Sequence, residues 1–343
     1  MPMTFANDLD RFVPKSAASF SLERNQQMRD VVFLLMPHLS MIAFSSAIEP
    51  LRVVNQLTGQ MLYRWHLLSQ DGQNPVCSNG VELVVAGGPR AIDRTALLLV
   101  CAGITPKSLA SKQTLSWIRG HRRRGGMVGG ICTGAFVLAE AGLLENRRFT
   151  VHWENRTGFL ENFPDLTPTT HIFEADDGII TSGGGNGSMD MMLSLIAADH
   201  GEALARAAAN MCIHGTIRNE AVDQVFYREE GASIPDAPKL AAIIQILDQN
   251  LENAIDVPFL AAKVGLSRRQ VERLFRTSLG VSPAVFYERR RLERARSLLI
   301  DTPISISEIA AACGFRNAQH LSQRFDRHFG TTPHRLRRAS LGK

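Results

Sequence analysis

The chain has 343 residues and a net charge of +5, with 45% apolar and 21% charged residues. These proportions are ordinary for a globular protein, and the length predicts about two domains. The longest uninterrupted apolar runs, 31–36 and 96–104, are far shorter than the roughly 18 residues of a membrane span, so we expect no membrane contact.

The cysteines and the amino terminus indicate a cytoplasmic protein. Five cysteines are scattered without CxxC spacing, which argues against a disulfide framework or a zinc site. The chain does not open with a basic segment followed by an apolar stretch, so we expect no secretory signal. The sequence predicts neither a metal nor a cofactor.

Charge is distributed unevenly along the chain. Residues 235–343 contain 18 basic and 10 acidic side chains, whereas residues 1–234 contain 20 basic and 23 acidic ones. A basic segment joined to a mildly acidic one indicates that the carboxyl-terminal part meets a polyanion. Solvated helix faces would give the same excess, so the interpretation depends on motifs.

Short apolar runs alternate with helical patterns over the first two-thirds of the chain. The predicted strands are 31–36, 64–69, 82–85, 97–102, 127–131, 149–153, 170–174 and 178–181, and the predicted helices are 41–57, 105–121, 135–141, 189–199 and 203–213. This alternation predicts an α/β domain with a mostly parallel sheet covered by helices. We interpret 1–28 as a loose leader and 227–238 as a linker, so the domains span 29–226 and 239–343.

The carboxyl-terminal domain is predicted to be all-α and contains a near-repeat. Residues 260–283 and 309–333 share matched Gly, Phe and Pro positions, and each copy has a short helix, a glycine turn and a second helix. This is the helix-turn-helix pattern, predicted at about 257–278 and 306–329. Gly265 and Gly314 would end the first helices, while Ser267 and Asn317 would cap the second ones.

Polar side chains on the second helices are typical of DNA contact. Arg and Gln can hydrogen-bond guanine and adenine edges, while other arginines meet phosphates. We expect Arg269 and Gln319 to read bases and Arg290 to bind phosphate. The candidate DNA-binding residues are Ser267, Arg268, Arg269, Gln270, Arg273, Arg276, Arg290, Asn317, Gln319, His320, Gln323, Arg324 and Arg327. A generic basic helical bundle is the alternative, which the tandem copies disfavour.

Residues 239–338 resemble an AraC/XylS-type DNA-binding domain, and 306–333 match the carboxyl-terminal signature of that family. The resemblance implies sequence-specific binding to double-stranded promoter DNA, contact with RNA polymerase and transcriptional control, more often as an activator than as a repressor.

A candidate site in the first domain centres on Cys132, in the segment 129–136. A small-residue turn with cysteine at its apex, after a strand and before a helix, is typical of a nucleophile elbow. We expect the helix amino terminus to lower the pKa of this thiol and to bind an anion. His152, at the end of the next predicted strand, and Glu49, on the first helix, are further candidates. Each also has an ordinary structural interpretation.

Residues 31–200 resemble the PfpI-like branch of the class I glutamine amidotransferase-like superfamily, which implies a flavodoxin-like fold. Glu49, Cys132 and His152 match the acidic residue, elbow cysteine and histidine of that family. Joined to an AraC-type domain, this resembles GlxA-type regulators, and segments such as 130–134 and 152–155 resemble regulators of arginine, betaine or carnitine catabolism. The segment 183–190 departs from the pattern, because Asn-Gly replaces an expected Thr and Ala.

The same residues support a sensor or an enzyme. In a cysteine-dependent hydrolase or deglycase-like enzyme, Cys132 would attack a carbonyl with His152 as base and Glu49 as its partner. In a sensor, Trp153 would face a cationic group and the elbow would bind a carboxylate. Fusion to a DNA-binding domain favours the sensor, because turnover would destroy the signal. Redox sensing through Cys132 is a third hypothesis.

For the sensor, the expected ligand is a zwitterionic or cationic metabolite of the amino-acid or quaternary-ammonium type. No catalytic residue is then expected, and Cys132, His152 and Glu49 would be vestiges of a catalytic set. The predicted ligand-binding residues are Glu49, Cys132, Thr133, His152, Trp153 and Glu154. We also expect a homodimer, formed through the α/β domain.

Overall fold

The computed structural model describes residues 12–14, 17–23, 27–104, 110–224, 237–253 and 255–341. The chain divides into two compact units between residues 224 and 225. Residues 1–11 of the predicted leader, 105–109 of the predicted helix 105–121, and 227–236 of the predicted linker lie outside the described residues. Within the described residues, no helix is both long and apolar enough to cross a membrane.

The first unit contains a six-stranded sheet. Its strands are β1 (Arg29–Leu35), β2 (Tyr63–Ser69), β3 (Leu97–Cys101), β4 (Met127–Ile131), β5 (Phe173–Asp176) and β6 (Ile179–Ser182). The strand order is β2-β1-β3-β4-β6-β5, and every neighbouring pair is parallel except β5 and β6. The predicted α/β class with a mostly parallel sheet is confirmed.

Helices cover both faces of this sheet. They are α1 (Met41–Thr58), α2 (Lys112–Arg123), α3 (Gly134–Glu140), α4 (Arg156–Asn162), α5 (Gly187–His200) and α6 (Glu202–Met211), with a short 3-10 turn at Trp153–Asn155. Alternate residues of β1 enter different cores: Val31 and Phe33 pack with α1, α5 and α6, whereas Val32 and Leu34 pack with α3. Burial on both faces explains why β1 is apolar from Val31 to Leu35.

The predicted strand 82–85 is wrong. Only an isolated bridge between Val76 and Glu82 forms there, and Val84 is 76% exposed. The backbone bonds to a neighbouring loop instead, since the Leu83 N–H donates to the Pro75 carbonyl. Leu83 and Val85 still pack against the core, so the apolar alternation marks a half-buried loop here.

The predicted strand 149–153 is also wrong, and helix α4 was not predicted. Thr150 forms only an isolated bridge, and the chain then enters the 3-10 turn. Side chains hydrogen-bond to the backbone N–H groups that would otherwise pair with a neighbouring strand. Thr181 Oγ1 accepts from the Thr150 N–H, and Gln224 Oε1 accepts from the Trp153 N–H. The remaining predicted strand, 170–174, begins later, as β5.

The loose leader predicted at 1–28 is not loose at Phe12. That side chain is buried and meets the Trp65 ring edge-on, with ring centroids 4.7 Å apart. The Phe20 N–H also donates to the Leu57 carbonyl at 2.6 Å. An aperiodic pattern conceals this packing, because single aromatic residues can anchor a segment that has no regular structure.

The second unit is helical, as predicted. Its helices are α7 (Ala237–Gln249), α8 (Val257–Lys263), α9 (Arg268–Leu279), α10 (Pro283–Asp301), α11 (Ile306–Ala312), α12 (Ala318–Phe329) and α13 (Pro333–Leu341). Gly265 and Gly314 both have φ of +65°, which ends α8 and α11 as expected. The predicted caps at Ser267 and Asn317 are confirmed, and Ser267 and Ser305 each form a capping box. The two helix-turn-helix motifs are therefore α8–α9 and α11–α12.

Replacing Asn55 by Ala should lower the free energy of unfolding of the first unit by about 3 kcal/mol. The buried amide donates to the carbonyls of Phe12 and Tyr63 and accepts from the N–H groups of Leu62 and Tyr63. Alanine would remove all four hydrogen bonds, although the Leu62 N–H would keep the Gln60 carbonyl as a partner. Urea unfolding followed by tryptophan fluorescence measures this change, because Trp65, Trp117 and Trp153 all belong to the first unit.

Asn79→Ala is the matched control. Its Oδ1 accepts only the Val81 N–H at an exposed turn, so the change should stay within about 0.5 kcal/mol. Equal effects of the two substitutions would contradict the role assigned to Asn55.

Candidate ligand pocket and DNA interface

Cys132 lies in the tight turn between β4 and α3. Its φ is +60°, and its N–H donates to the Ser182 carbonyl at 2.9 Å. A side chain at Gly184 would place its Cβ 2.9 Å from the Cys132 Cβ, so only glycine fits opposite the cysteine. The strained backbone and the surrounding small residues form the strand–turn–helix geometry expected of an elbow.

The Cys132 thiol is not activated by this turn. Its pKa is raised to about 12, mainly by burial; a hydrogen bond from the Thr133 backbone lowers the pKa, and the Glu154 carboxylate raises it. The expectation of a lowered thiol pKa was wrong, because only 7% of the residue is exposed and loss of water outweighs the backbone dipoles. The sulfur is therefore a protonated thiol at neutral pH.

His152 precedes the 3-10 turn rather than ending a strand. Its Nδ1 accepts from the Glu154 N–H at 3.3 Å, and burial lowers the pKa of the ring. No hydrogen bond joins His152 to Cys132 among the residues that the structure describes. The histidine therefore caps a turn as a neutral ring and is not paired with the thiol as a base.

Glu49 does not face the elbow thiol. Its carboxylate accepts from Arg52 Nε at 2.7 Å, one turn along α1. Its negative charge contributes to the raised pKa of a different cysteine, Cys212. The acid, cysteine and histidine of the resemblance are thus present in sequence, but they do not form one hydrogen-bonded set.

Trp153 and Glu154 provide the accessible part of the candidate pocket. The Trp153 side chain is 37% exposed, and its ring lies 5.5 Å from the His152 ring. Thr133, by contrast, is fully buried and donates its hydroxyl to the Gly103 carbonyl at 2.7 Å, so it holds the turn together. His152 contacts both Trp153 and Glu154, whereas the contact shown for Glu49 is with Arg52.

Gln224 supports this pocket wall, although no sequence motif marks it. Its buried amide accepts from the Trp153 N–H at 2.9 Å and donates to the carbonyls of Val151 and His171. Gly183 leaves the space that this amide fills, since an added Cβ there would lie 2.5 Å from its carbon. Gln224 is also the last described residue before residue 237.

On α9, the candidate DNA-binding residues divide into exposed cations and capping residues. Arg269, Arg273 and Arg276 are exposed. Ser267 and Gln270 bond each other's backbone in the capping box, which commits Gln270 to the helix end. The remaining candidate, Arg268, is exposed and pairs with Glu272 at 2.9 Å.

On α12, the exposed candidates are Gln319, Gln323 and Arg327. Asn317 caps the helix by accepting from the His320 N–H. The His320 ring meets the Phe315 ring edge-on at 5.6 Å and thus faces the protein. Arg324 Nε lies 3.1 Å from a Glu288 carboxylate oxygen on α10, so it also has an internal partner.

Arg290, which the sequence predicts to bind phosphate, pairs with two carboxylates of the second unit. Its guanidinium donates two hydrogen bonds of 2.9 Å to the Asp248 carboxylate and one of 3.2 Å to Glu293. These hydrogen bonds and charges raise the pKa of Arg290 despite its burial. Asp248 lies 42 residues earlier in the chain, so the sequence pattern could not reveal this pair.

Comparisons with known proteins match both units. The DJ-1/PfpI family matches residues 30–198, and a helix-turn-helix domain matches residues 260–339. The HTH-type transcriptional regulator GbdR of Pseudomonas aeruginosa is 38% identical, over 90% of this chain and 84% of that protein. The HTH-type transcriptional regulator GlxA of Rhizobium meliloti is 37% identical, over 94% of this chain and 99% of that protein.

A solved structure supports the fold of the first unit. The crystal structure of a THiJ/PfpI family protein from Pseudomonas syringae has a TM-score of 0.50 at 18% identity. It covers 65% of this chain and 88% of its own chain. At this identity the likeness shows the fold alone.

Alkylation of Cys132 by iodoacetamide should be slow and should keep rising with pH beyond pH 9. With a thiol pKa of about 12, only about one molecule in ten thousand carries the thiolate at pH 8. Peptide mapping by mass spectrometry across pH 7 to 10 measures the rate. A rate that levels off below pH 8 would indicate an activated nucleophile and contradict the burial argument.

Proposed function

The chain belongs to the HTH-type transcriptional regulators that join a DJ-1/PfpI domain to an AraC-type helix-turn-helix domain, and from this premise we propose a metabolite-controlled regulator of promoters. In this proposal the second unit binds a specific sequence of double-stranded DNA. The first unit binds a small zwitterionic or cationic metabolite. The protein acts in the cytoplasm, where the DNA lies.

The observation that carries the DNA-binding part is the exposure of the second helix in each motif. The buried residues of α9, Val271 and Phe275, leave its arginines exposed on the opposite face. The buried residues of α12, Leu321 and Phe325, do the same for its glutamines. Arg and Gln can form paired hydrogen bonds to base edges, so Arg269 and Gln319 remain our candidates for base reading.

Ligand binding without turnover is supported by the state of the elbow. The Cys132 thiol is protonated, and no general base is hydrogen-bonded to it within the described residues. Trp153 presents an exposed aromatic face to a cationic group, and Glu154 offsets its charge. The elbow N–H groups would donate hydrogen bonds to the carboxylate of the same metabolite. Glu49 is paired with Arg52, so in this proposal it acts on the ligand only through its charge.

Gln224 offers a route from the pocket to the DNA-binding unit. A ligand that contacts Trp153 would displace the backbone that is hydrogen-bonded to Gln224. The chain continues from Gln224 towards the second unit. Regulation requires that the ligand bind two conformations with different affinity. In our proposal, these conformations differ in whether the Gln224 hydrogen bonds to 151 and 153 are kept.

The remaining parts of the proposal follow from the regulator family. We propose that the protein forms a homodimer through the first unit and activates transcription by contacting RNA polymerase. A homodimer would present two DNA-binding units and so match a repeated or palindromic operator.

Binding to the operator should weaken steeply with salt, because each phosphate-bound arginine releases counterions. Arg276→Ala and Arg327→Ala should each reduce the slope of log K against log salt by about 1. Arg269→Ala and Gln319→Ala should instead change sequence preference. Fluorescence anisotropy at several salt concentrations measures both effects. Arg290→Gln removes the same charge as the phosphate variants but should leave the slope unchanged. A flat salt dependence of the wild type would reject phosphate contact.

A thermal-shift screen against arginine, glycine betaine, carnitine and dimethylglycine should identify a ligand that raises the melting temperature of the first unit. Trp153→Ala should abolish that shift. Gln224→Ala should keep ligand binding. Its DNA affinity should no longer respond to the ligand, because ligand binding would then not be coupled to the DNA-binding unit.

Two controls accompany this screen. Trp117→Ala removes a tryptophan on α2 whose Nε1 donates to the Arg90 carbonyl, and it should keep the ligand-induced shift. Cys132→Ser should keep the ligand response if the pocket only binds. Product formation seen by mass spectrometry, and lost in Cys132→Ser, would favour the hydrolase alternative.

A further inference from the structure

Helix α10 joins two separate apolar cores in the second unit. Tyr287, near its start, packs in a cluster with residues of α7, α8 and α9. Leu292 and Leu298, further along, pack in a second cluster with residues of α11 and α12. We call these the first half and the second half of the unit. Because each half has its own core, the relative placement of the two motifs depends on α10 and on the contacts beside it.

A cleft separates the two halves beside this helix. Its volume is about 400 Å³, and it is lined by residues of both halves, among them Leu260, Tyr287, Phe315 and Arg324. The side chains that line this cleft therefore lie where the two halves meet.

Arg291 makes such a contact, at the point on α10 between the two cores. Its guanidinium lies 4.5 Å from the Phe315 ring centroid and 5.9 Å from the Tyr287 ring centroid, so it spans an aromatic residue of each half. Its Nε also donates to the Cys313 carbonyl at 2.5 Å. Cys313 caps the carboxyl end of α11, where carbonyl groups lack helical partners. Arg291 thus holds the turn of the second motif.

The same turn touches the backbone of the first half at Gly314. A Cβ added there would lie 2.5 Å from the Glu252 carbonyl oxygen and 3.0 Å from Arg291 Nη2. Glu252 belongs to the loop after α7, in the first half. The glycine turn, the loop and the guanidinium therefore form one contact between the halves.

We propose that Arg291 is a positioning residue that sets the spacing between the two DNA-reading helices, α9 and α12. This inference rests on the proposed function, because it concerns DNA reading by both helices. Arg291 differs from the exposed arginines in that burial lowers its pKa and its donors and ring contacts lie within the protein. It acts on DNA through the placement of α12 and without touching the duplex.

The test selects bound sequences from a random DNA library with the full-length wild-type chain and with Arg291→Ala. The wild type should enrich two short motifs at one fixed spacing of about one helical turn. Arg291→Ala should enrich the same two motifs at several spacings. It should bind the wild-type spacing at least tenfold more weakly and either motif alone within twofold of wild type.

Matched variants separate positioning from charge and from folding. Arg290→Gln removes a cation from the adjacent position of α10 but breaks contacts within the first half, so its spacing should remain fixed. Arg291→Lys keeps the charge without the flat guanidinium and should behave like Arg291→Ala. If Arg291→Ala does not fold, Phe315→Leu removes the stacked ring alone and should broaden the spacings partially.

The outcomes distinguish a failure of the positioning role from a failure of the proposed DNA-binding function. A single fixed spacing in Arg291→Ala, or an equal loss of affinity for single motifs and paired motifs, overturns the positioning role alone. A wild-type chain that enriches no motif overturns the proposed DNA-binding function, and the positioning role falls with it.

Discussion

A backbone N–H or C=O group that is buried without a partner costs free energy, and turns create such groups wherever a strand or helix ends. In both units, side chains from distant parts of the sequence supply the missing partners. Gln224 does so around the 3-10 turn, Asn55 does so at the start of β2, and Arg291 does so at the end of α11. The placement of both candidate sites depends on these few polar side chains.

This dependence explains what could be predicted from the sequence. Local patterns are sufficient for β4, for α1 and for the capped helices of both motifs, because caps and periodicity involve residues within a few positions of one another. The strand predicted at 149–153 failed because its backbone partners come from Gln224, more than 70 residues later. The pairing of Arg290 with Asp248 could not be predicted for the same reason, since Asp248 belongs to another helix.

The candidate pocket shows a second limit of the sequence. The motif around Cys132 predicts a strand–turn–helix, and the backbone has that form. Its chemistry depends on solvent exposure, which the motif does not encode. Burial raises the pKa of the thiol, and Glu49 turns to Arg52. The same elbow is therefore compatible with a binding pocket, whereas an enzyme would need an activated thiol and a paired base.

The two separate cores joined by α10 have an evolutionary consequence. Substitutions on the exposed face of either motif leave the packing of the other undisturbed, so each half of an operator can diverge at its own pace. The length of α10 has no such freedom. One inserted residue would rotate the helices beyond it by about 100° and shift them by about 1.5 Å. Helix α12 would then no longer face the DNA groove when α9 is bound. Related regulators should therefore vary in their surface residues while conserving the number of residues in this helix.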